Sequence, residues 1–200
     1  GGERYDRYSK EDSPGRPPLI LPNTTVAEGN DGRPRSAFIL PLSSTEANWG
    51  DLAYLAAIPA SATLNLSGQA TVLVPDDKVS DPDDDGFADF LDRYKPADIT
   101  VFHSDKIPID FADDNPQQKI HHHAWDDLDS VTVALARRAW PSNNATSRMV
   151  VAQAGDYPAA LLASAVAARV CSPLFFLEGN RWKDKVLHVI RDLRPSEMLF

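Results

Sequence analysis

Residues 149–177 read MVVAQAGDYPAALLASAVAARVCSPLFFL, and this stretch decides the fold. It begins with the short apolar run Met149–Ala152, which is typical of a buried strand. Gly155-Asp156 then opens an Ala-rich helix, and Leu174–Leu177 is a second apolar run. Short strands without polar alternation are typical of parallel sheets that are covered on both faces. The stretch therefore predicts a strand, a crossover helix and a second, parallel strand.

The same order of elements occurs twice along the chain. The copy that contains residues 149–177 continues with a helix at Asp184–Leu193 and a strand that begins at Glu197. The elements predicted for the other, earlier copy are strand Ala37–Leu40, a helix that starts near Asn48 and ends at Pro59, strand Ala70–Val74, a helix around Phe87–Tyr94 and strand Asp98–Phe102.

The two copies also match position by position. Gly50-Asp51 corresponds to Gly155-Asp156 at the start of the first helix of each copy. Lys95-Pro96 corresponds to Arg194-Pro195, and each pair ends the second helix. Such self-similarity indicates two copies of one βαβαβ unit.

We therefore predict an α/β fold of tandem βαβαβ repeats with parallel, Rossmann-like sheets. Residues 1–36 are polar and rich in Pro, Gly and Arg, which predicts an irregular or disordered N-terminal arm. Residues 37–115 are assigned to the first repeat, with an acidic loop inserted, and residues 116–200 to the second repeat, whose last strand is truncated. Between the copies, Asp126–Ala139 predicts an amphipathic helix.

Composition and motifs argue against several classes of function. The chain has 29 acidic and 20 basic residues, a net charge of −9, and no basic cluster, so nucleic acid is not an expected partner. Cys171 is the single cysteine, which excludes a disulfide framework. No apolar run is long enough for a transmembrane segment. The G-x-S-x-G elbow, the P-loop and the G-x-G-x-x-G fingerprint are absent, and we therefore expect no catalytic residues and no enzymatic activity.

The acidic stretch SDPDDDGFADFLDRY, residues 80–94, fits the spacing of a calcium loop. Gly86 falls where such a loop turns sharply. The oxygen ligands of the template would come from Asp81, Asp83, Asp85, Phe87, Asp89 and Asp92. The alternative is an acidic helix start that the helix dipole favours, with Asp85 as the cap. Both interpretations stay open, and calcium is the one cofactor that the sequence suggests.

Two further positions are candidate ligand-binding residues. Asp51 and Asp156 follow strands at equivalent turns, and ligands of α/β sheets gather at the carboxyl ends of strands. Either carboxylate is a candidate to hold a ligand hydroxyl or a cation, and the alternative for each is a helix cap. For His121–His123 we expect a hydrated loop, with metal binding by one imidazole or a pH-sensitive contact as the alternative.

The stretch RMVVAQAGDYPAALLASAVAARVCSPLFFLEGN, with LRPSEMLF after the next helix, resembles the type 2 cell wall-binding repeat of secreted bacterial surface proteins. The parts that carry the resemblance are the strand at Val150, Gly155-Asp156, the Ala-rich helix, Ser172-Pro173-Leu174 and Arg194-Pro195. The resemblance covers residues 126–200 well and residues 37–102 loosely. It implies extracellular, non-enzymatic attachment to anionic wall polymers, commonly through three such repeats.

From the residues and the resemblance together we expect a non-catalytic extracellular or cell-surface module. Its expected partners are a cell-envelope polymer or other domains of the same protein. The alternatives are a small-ligand-binding Rossmann-like domain and a non-catalytic part of a secreted enzyme.

Overall fold

The structure is a computed structural model, and it describes residues 33–41, 49–74, 87–103, 118–141, 148–179 and 182–200. The strands in these ranges are β1 (Arg35–Ile39), β2 (Gln69–Leu73), β3 (Asp98–His103), β4 (Lys119–Ala124), β5 (Arg148–Gln153), β6 (Leu174–Leu177) and β7 (Glu197–Leu199). The helices are α1 (Gly50–Leu64), α2 (Phe87–Tyr94), α3 (Leu128–Ala139), α4 (Tyr157–Arg169) and α5 (Asp184–Leu193).

The strands form two sheets in which every pairing is parallel. The first sheet has the order β2-β1-β3-β4 and the second has the order β6-β5-β7. In both units the first strand is central, the next strand lies on one side of it and the third strand lies on the other. The predicted α/β class with parallel, Rossmann-like sheets is confirmed. Residues 1–32 of the predicted N-terminal arm lie outside the described residues.

The two units end their second helix in the same way. Lys95 after α2 and Arg194 after α5 both have left-handed backbone, with φ of 49° and 47°. The Lys95 N–H donates to the Leu91 carbonyl at 2.8 Å, and the Arg194 N–H donates to the Ile190 carbonyl at 2.9 Å. Such a residue binds a carbonyl of the last turn that would otherwise lack a partner, and the proline after it prevents further helix. The match between the two sequence copies therefore extends to backbone conformation.

Helices α1, α3 and α4 join the two units. Helix α1 packs on β1 and β2 and contacts both α3 and α4. Helix α3 also contacts β6 and α5, while α4 packs on β5 and β6. One continuous apolar core consequently runs through both units, and its fully buried residues include Phe38 and Phe102 in the first sheet and Met149 and Phe175 in the second.

Helix α1 extends five residues beyond the predicted end at Pro59, so that prediction was wrong. A proline inside a helix lacks the N–H that would bind the carbonyl four residues earlier, which here belongs to Leu55. The hydroxyl of Ser164 on α4 donates to that Leu55 carbonyl at 2.6 Å in a buried contact. Because another helix supplies the missing donor, α1 continues through Pro59 to Leu64.

Residues His121–His123 lie in β4 and not in the hydrated loop that the sequence predicted, so that expectation was wrong. Strand β4 pairs with β3, which places His121 opposite Thr100 and His123 opposite Phe102. The first sheet thus includes residues beyond position 115, where the first repeat was expected to end.

Candidate functional site at the carboxyl edge of the second sheet

A groove of about 370 Å³ opens where the strands of the second sheet end. We name it the carboxyl-edge groove. The residues that line it come from β5, α4 and the ends of β6 and β7, and they are Val150, Val151, Ala152, Gln153, Asp156, Ala159, Leu162, Ala163, Val166, Leu177, Leu199 and Phe200. Most of the lining is apolar, and Gln153 and Asp156 are the polar side chains among these residues.

The strand order explains why a groove forms at this place. From β5 the chain crosses to β6 on one side and then returns to β7 on the other side. Right-handed crossovers in opposite directions put α4 and α5 on opposite faces of the sheet. Crevices of this kind, outside the carboxyl ends of strands where the order reverses, are the usual binding sites of open α/β sheets.

Asp156 is the N-terminal cap of α4 and also lines the groove. Its side chain caps the helix by accepting the Ala159 N–H at 3.0 Å, and the residue is solvent-exposed. Capping uses one carboxylate oxygen, and a carboxylate offers about four acceptor sites. The cap role is thus present, while ligand binding by Asp156 stays a prediction that the groove makes geometrically reasonable.

The carboxyl edge of the first sheet is filled with aromatic rings. Trp125, directly after β4, lies with its ring centroid 4.7 Å from that of Trp49, 6.3 Å from that of Tyr54 and 6.5 Å from that of Phe102. The Tyr54 hydroxyl donates to the Pro41 carbonyl just beyond β1. These four rings, which we name the aromatic cluster, occupy the edge of the first sheet that corresponds to the groove in the second.

The structure separates the two candidate aspartates. Asp51 lies exposed in the first turn of α1, and the residue at the cap position is Trp49, whose side chain makes no capping bond. Asp156 is itself the cap of α4 and borders a cavity. Ligand binding by Asp51 remains a prediction, but its edge of the protein is the one that the aromatic cluster fills.

The predicted calcium ligands fall largely outside the described residues. Asp81, Asp83 and Asp85 lie there, and the side chains of Phe87 and Asp89 are not described. Helix α2 begins at Phe87, and Asp92 is exposed on that helix. Within the described ranges, no three His, Cys, Asp or Glu side chains come together as a metal site. Calcium binding by the acidic loop stays a prediction.

The histidines of β4 divide between the two faces of the first sheet, as alternation along a strand requires. His122 lies edge-on to His103 with ring centroids 5.2 Å apart, and His123 stacks on Phe102 at 5.5 Å. His121 Nε2 is 3.5 Å from an Asp98 carboxylate oxygen. Burial lowers the pKa of His123 below its ordinary value, and the imidazoles of His121, His122 and His103 lower it further.

The lowered pKa of His123 predicts acid sensitivity. The folded protein disfavours the imidazolium form, so the unfolded chain binds more protons below its own histidine pKa of about 6.5. We expect the free energy of unfolding to be unaffected by this group above about pH 6.5 and to fall as the pH drops toward the lower folded value. Urea unfolding at a series of pH values measures this pH dependence of the free energy of unfolding. His123→Phe should flatten the dependence, the exposed His188→Phe should not, and equal slopes in all three proteins would contradict the prediction.

Two lysines join the starts of α3 and α5. Lys185 Nζ lies 2.6 Å from Asp127 Oδ2, and Asp127 also caps α3. Lys183 Nζ lies 2.7 Å from Asp129 Oδ2, and its hydrogen bonds to Asp129 and Glu178 raise the pKa of Lys183. These ion pairs tie the connecting helix α3 to the second unit. Sequence reasoning missed them because the partners are far apart along the chain.

Comparisons with protein-family models, with curated proteins and with solved structures found no match for this chain. None of the helices in the described ranges combines the length and the apolar character needed to cross a membrane.

Proposed function

We propose that this chain is a non-catalytic cell-surface module that attaches to an envelope polymer through the carboxyl-edge groove of its second unit. The observation that carries the proposal is the difference between the two units. The aromatic cluster closes the edge of the first sheet, whereas the same edge of the second sheet is open and has a carboxylate at its rim. An apolar groove with a carboxylate at its rim, at the carboxyl edge of a parallel sheet, is a place for a ligand.

The lining of the groove suits binding. Apolar side chains cover its floor, where the carbon-rich faces of a sugar or another ring can pack, and Asp156 and Gln153 offer hydrogen bonds at the rim. A single carboxylate beside an amide has no partner acid or nucleophile within the lining. The proposed mechanism is therefore recognition of hydroxyl or amino groups by Asp156, with apolar contact to Leu199 and Phe200.

The charge of the chain limits which classes of polymer can bind in the groove. With a net charge of −9 and a carboxylate at the groove, direct contact with a densely anionic polymer is repulsive. A polymer rich in hydroxyl or amino groups fits these residues, and an anionic polymer would require a bridging cation. Retention in the presence and absence of a chelator separates these two kinds of polymer.

The experiment is co-sedimentation of the chain with purified cell envelope. Ala159 and Ala165 are both exposed on α4, but only Ala159 lines the groove. We expect Ala159→Trp to abolish retention because the indole fills the groove, and Ala165→Trp to leave retention unchanged. Asp156→Asn, which keeps a capping side chain, should reduce retention about tenfold, and Asp51→Asn should not. No retention of the wild-type chain, or equal retention of all variants, contradicts the proposal.

A second candidate is small-ligand binding in the same groove, favoured by its volume. About 370 Å³ lies within the range of about 300–1,000 Å³ that small-molecule sites occupy. The ligand would have an apolar body and one hydroxyl or ammonium group for Asp156. A thermal-shift screen of such compounds tests it. A shift that Ala159→Trp removes, together with no retention on envelope, would favour this candidate over the polymer.

A further inference from the structure

Helix α4 begins at the rim of the carboxyl-edge groove, but its first turn has little to offer an anion. Open α/β sheets commonly bind phosphate at such a place, through N–H groups of the first turn that lack partners. Here the Asp156 N–H donates to the Gln153 carbonyl at 3.2 Å, and the Ala159 N–H donates to the Asp156 carboxylate at 3.0 Å. Pro158 has no N–H. Among the described residues, the Tyr157 N–H is the one backbone donor of this turn that remains for a ligand.

The charged side chains around the groove also disfavour an anion. The lining contains the Asp156 carboxylate and no Lys, Arg or His. A second acid, Glu178, directly follows Leu177 at the end of β6. Lys183, at the start of α5, lies 2.7 Å from an Asp129 carboxylate oxygen and 3.1 Å from a Glu178 carboxylate oxygen, so acids already engage it. An anionic group in the groove would consequently face a carboxylate without a compensating cation from the lining.

We propose that the carboxyl-edge groove selects a sugar that carries a free amino group, bound as ammonium by Asp156. This inference rests on the proposed function and narrows its ligand from hydroxyl or amino groups to amino groups. An ammonium has three N–H donors and a positive charge, whereas a hydroxyl has one donor and no charge. The Asp156 carboxylate uses one acceptor site on Ala159 and keeps others for the ammonium.

The rest of the groove suits the sugar ring of such a ligand. Gln153 is exposed at the same rim, where its amide oxygen is a second acceptor for the ammonium. Leu199 and Phe200 line the groove with apolar surface, against which the C–H face of a sugar packs. Acetylation of the amine removes the charge and adds bulk at the position of the ionic contact. The groove should therefore discriminate between an amino sugar and its N-acetyl derivative.

Chemical N-acetylation of purified cell envelope tests the proposal. Acetic anhydride in cold aqueous bicarbonate converts amines to neutral amides and spares hydroxyl groups. We measure retention of the full chain at low ionic strength, where salt does not screen an exposed ion pair. Acetylation should lower retention of the wild-type chain at least about tenfold, the effect of losing one charge-assisted hydrogen bond. Asp156→Asn should be retained weakly, and equally on treated and untreated envelope.

The control separates the groove from the general attraction between an acidic chain and a basic surface. Asp192 is exposed on α5 and does not line the groove, and Asp192→Asn changes the net charge by the same amount as Asp156→Asn. We expect Asp192→Asn to keep the wild-type dependence on free amines. If both variants lose that dependence equally, net charge is its cause and the proposal is overturned. Inorganic phosphate at matched ionic strength should not compete, and competition that Asp192→Asn retains also overturns it.

Calorimetric titration with defined probes gives a second measurement that needs no envelope. The probes are the tetramers of glucosamine and of N-acetylglucosamine, at about pH 5.5, where free sugar amines are protonated. Binding of the glucosamine tetramer at least about tenfold tighter, with the preference lost in Asp156→Asn, supports the proposal. Equal affinities, a preference for the N-acetyl form, or no binding of either tetramer overturns it.

The two proposals fail in different ways. Wild-type retention that acetylation leaves unchanged overturns the preference for an amine and leaves attachment to an envelope polymer in place. No retention on untreated envelope overturns the attachment, and the titration then decides the preference for an amine by itself.

Discussion

Trp125→Ala is expected to lower the free energy of unfolding by about 3–5 kcal/mol, the range for truncation of a large buried aromatic side chain. Trp125 is buried with a 4% exposed fraction and contacts three other rings. Its backbone N–H donates to the His103 carbonyl at 2.8 Å, which ties the end of β4 to the end of β3. Removal of the indole leaves a cavity at the point where α1, β3 and β4 meet.

The control is Trp125→Phe, which keeps an aromatic ring in the cluster. Among the described residues, no group accepts a hydrogen bond from the buried Trp125 indole N–H. Phe removes that unpaired donor, so part of the lost packing is offset, and we expect a cost of about 1–2 kcal/mol. Urea unfolding followed by circular dichroism measures both variants. An alanine variant within about 1 kcal/mol of wild type would show that the aromatic cluster does not hold the first sheet together.

The cluster also has a consequence for the groove. If the filled edge of the first unit is purely structural, Trp125→Phe should leave envelope retention unchanged, because retention depends on the second unit. Under the proposed function, the two edges of the molecule have different roles although they derive from the same strand order.

The regular elements of both units could be predicted from the sequence because each depends on neighbouring residues. Apolar runs such as Met149–Ala152 and the proline stops after Lys95 and Arg194 act within a few positions. The prediction that α1 ends at Pro59 failed because the hydroxyl of Ser164 replaces the N–H that proline lacks. Ser164 is 109 residues from the carbonyl that it binds, so no local pattern reveals the contact. Strand β4 was missed because His121–His123 do not alternate with apolar residues. An edge strand can form without such alternation.

Only part of the candidate site could be predicted from the sequence. The equivalence of Asp51 and Asp156 is visible in the two Gly-Asp pairs, but the difference between their surroundings is not. That difference depends on Trp125, which lies 76 positions after Trp49 and fills only the first edge. The groove requires the order of β5, β6 and β7 in the sheet, and no local pattern encodes that order.

Ser164→Ala is expected to destabilise the protein by about 1–3 kcal/mol, the cost of leaving a buried polar group without a partner. The hydroxyl of Ser164 is buried and donates to the Leu55 carbonyl, which cannot receive a bond from Pro59. The variant leaves that carbonyl unpaired at the contact between α1 and α4. It should therefore weaken both the helix and the junction of the two units.

A double-mutant cycle with Pro59→Ala tests the cause. The Pro59→Ala substitution restores a backbone N–H that can bind the Leu55 carbonyl within α1, so Ser164→Ala should cost less in that background, with a coupling of about 1 kcal/mol. The matched control is Ser172→Ala, because Ser172 is equally buried but donates to Val170 within its own turn. The cost of the control substitution should be the same with and without Pro59→Ala. If Ser164→Ala also costs the same in both backgrounds, the hydroxyl does not replace the missing N–H, and the continuation of α1 beyond Pro59 requires packing alone.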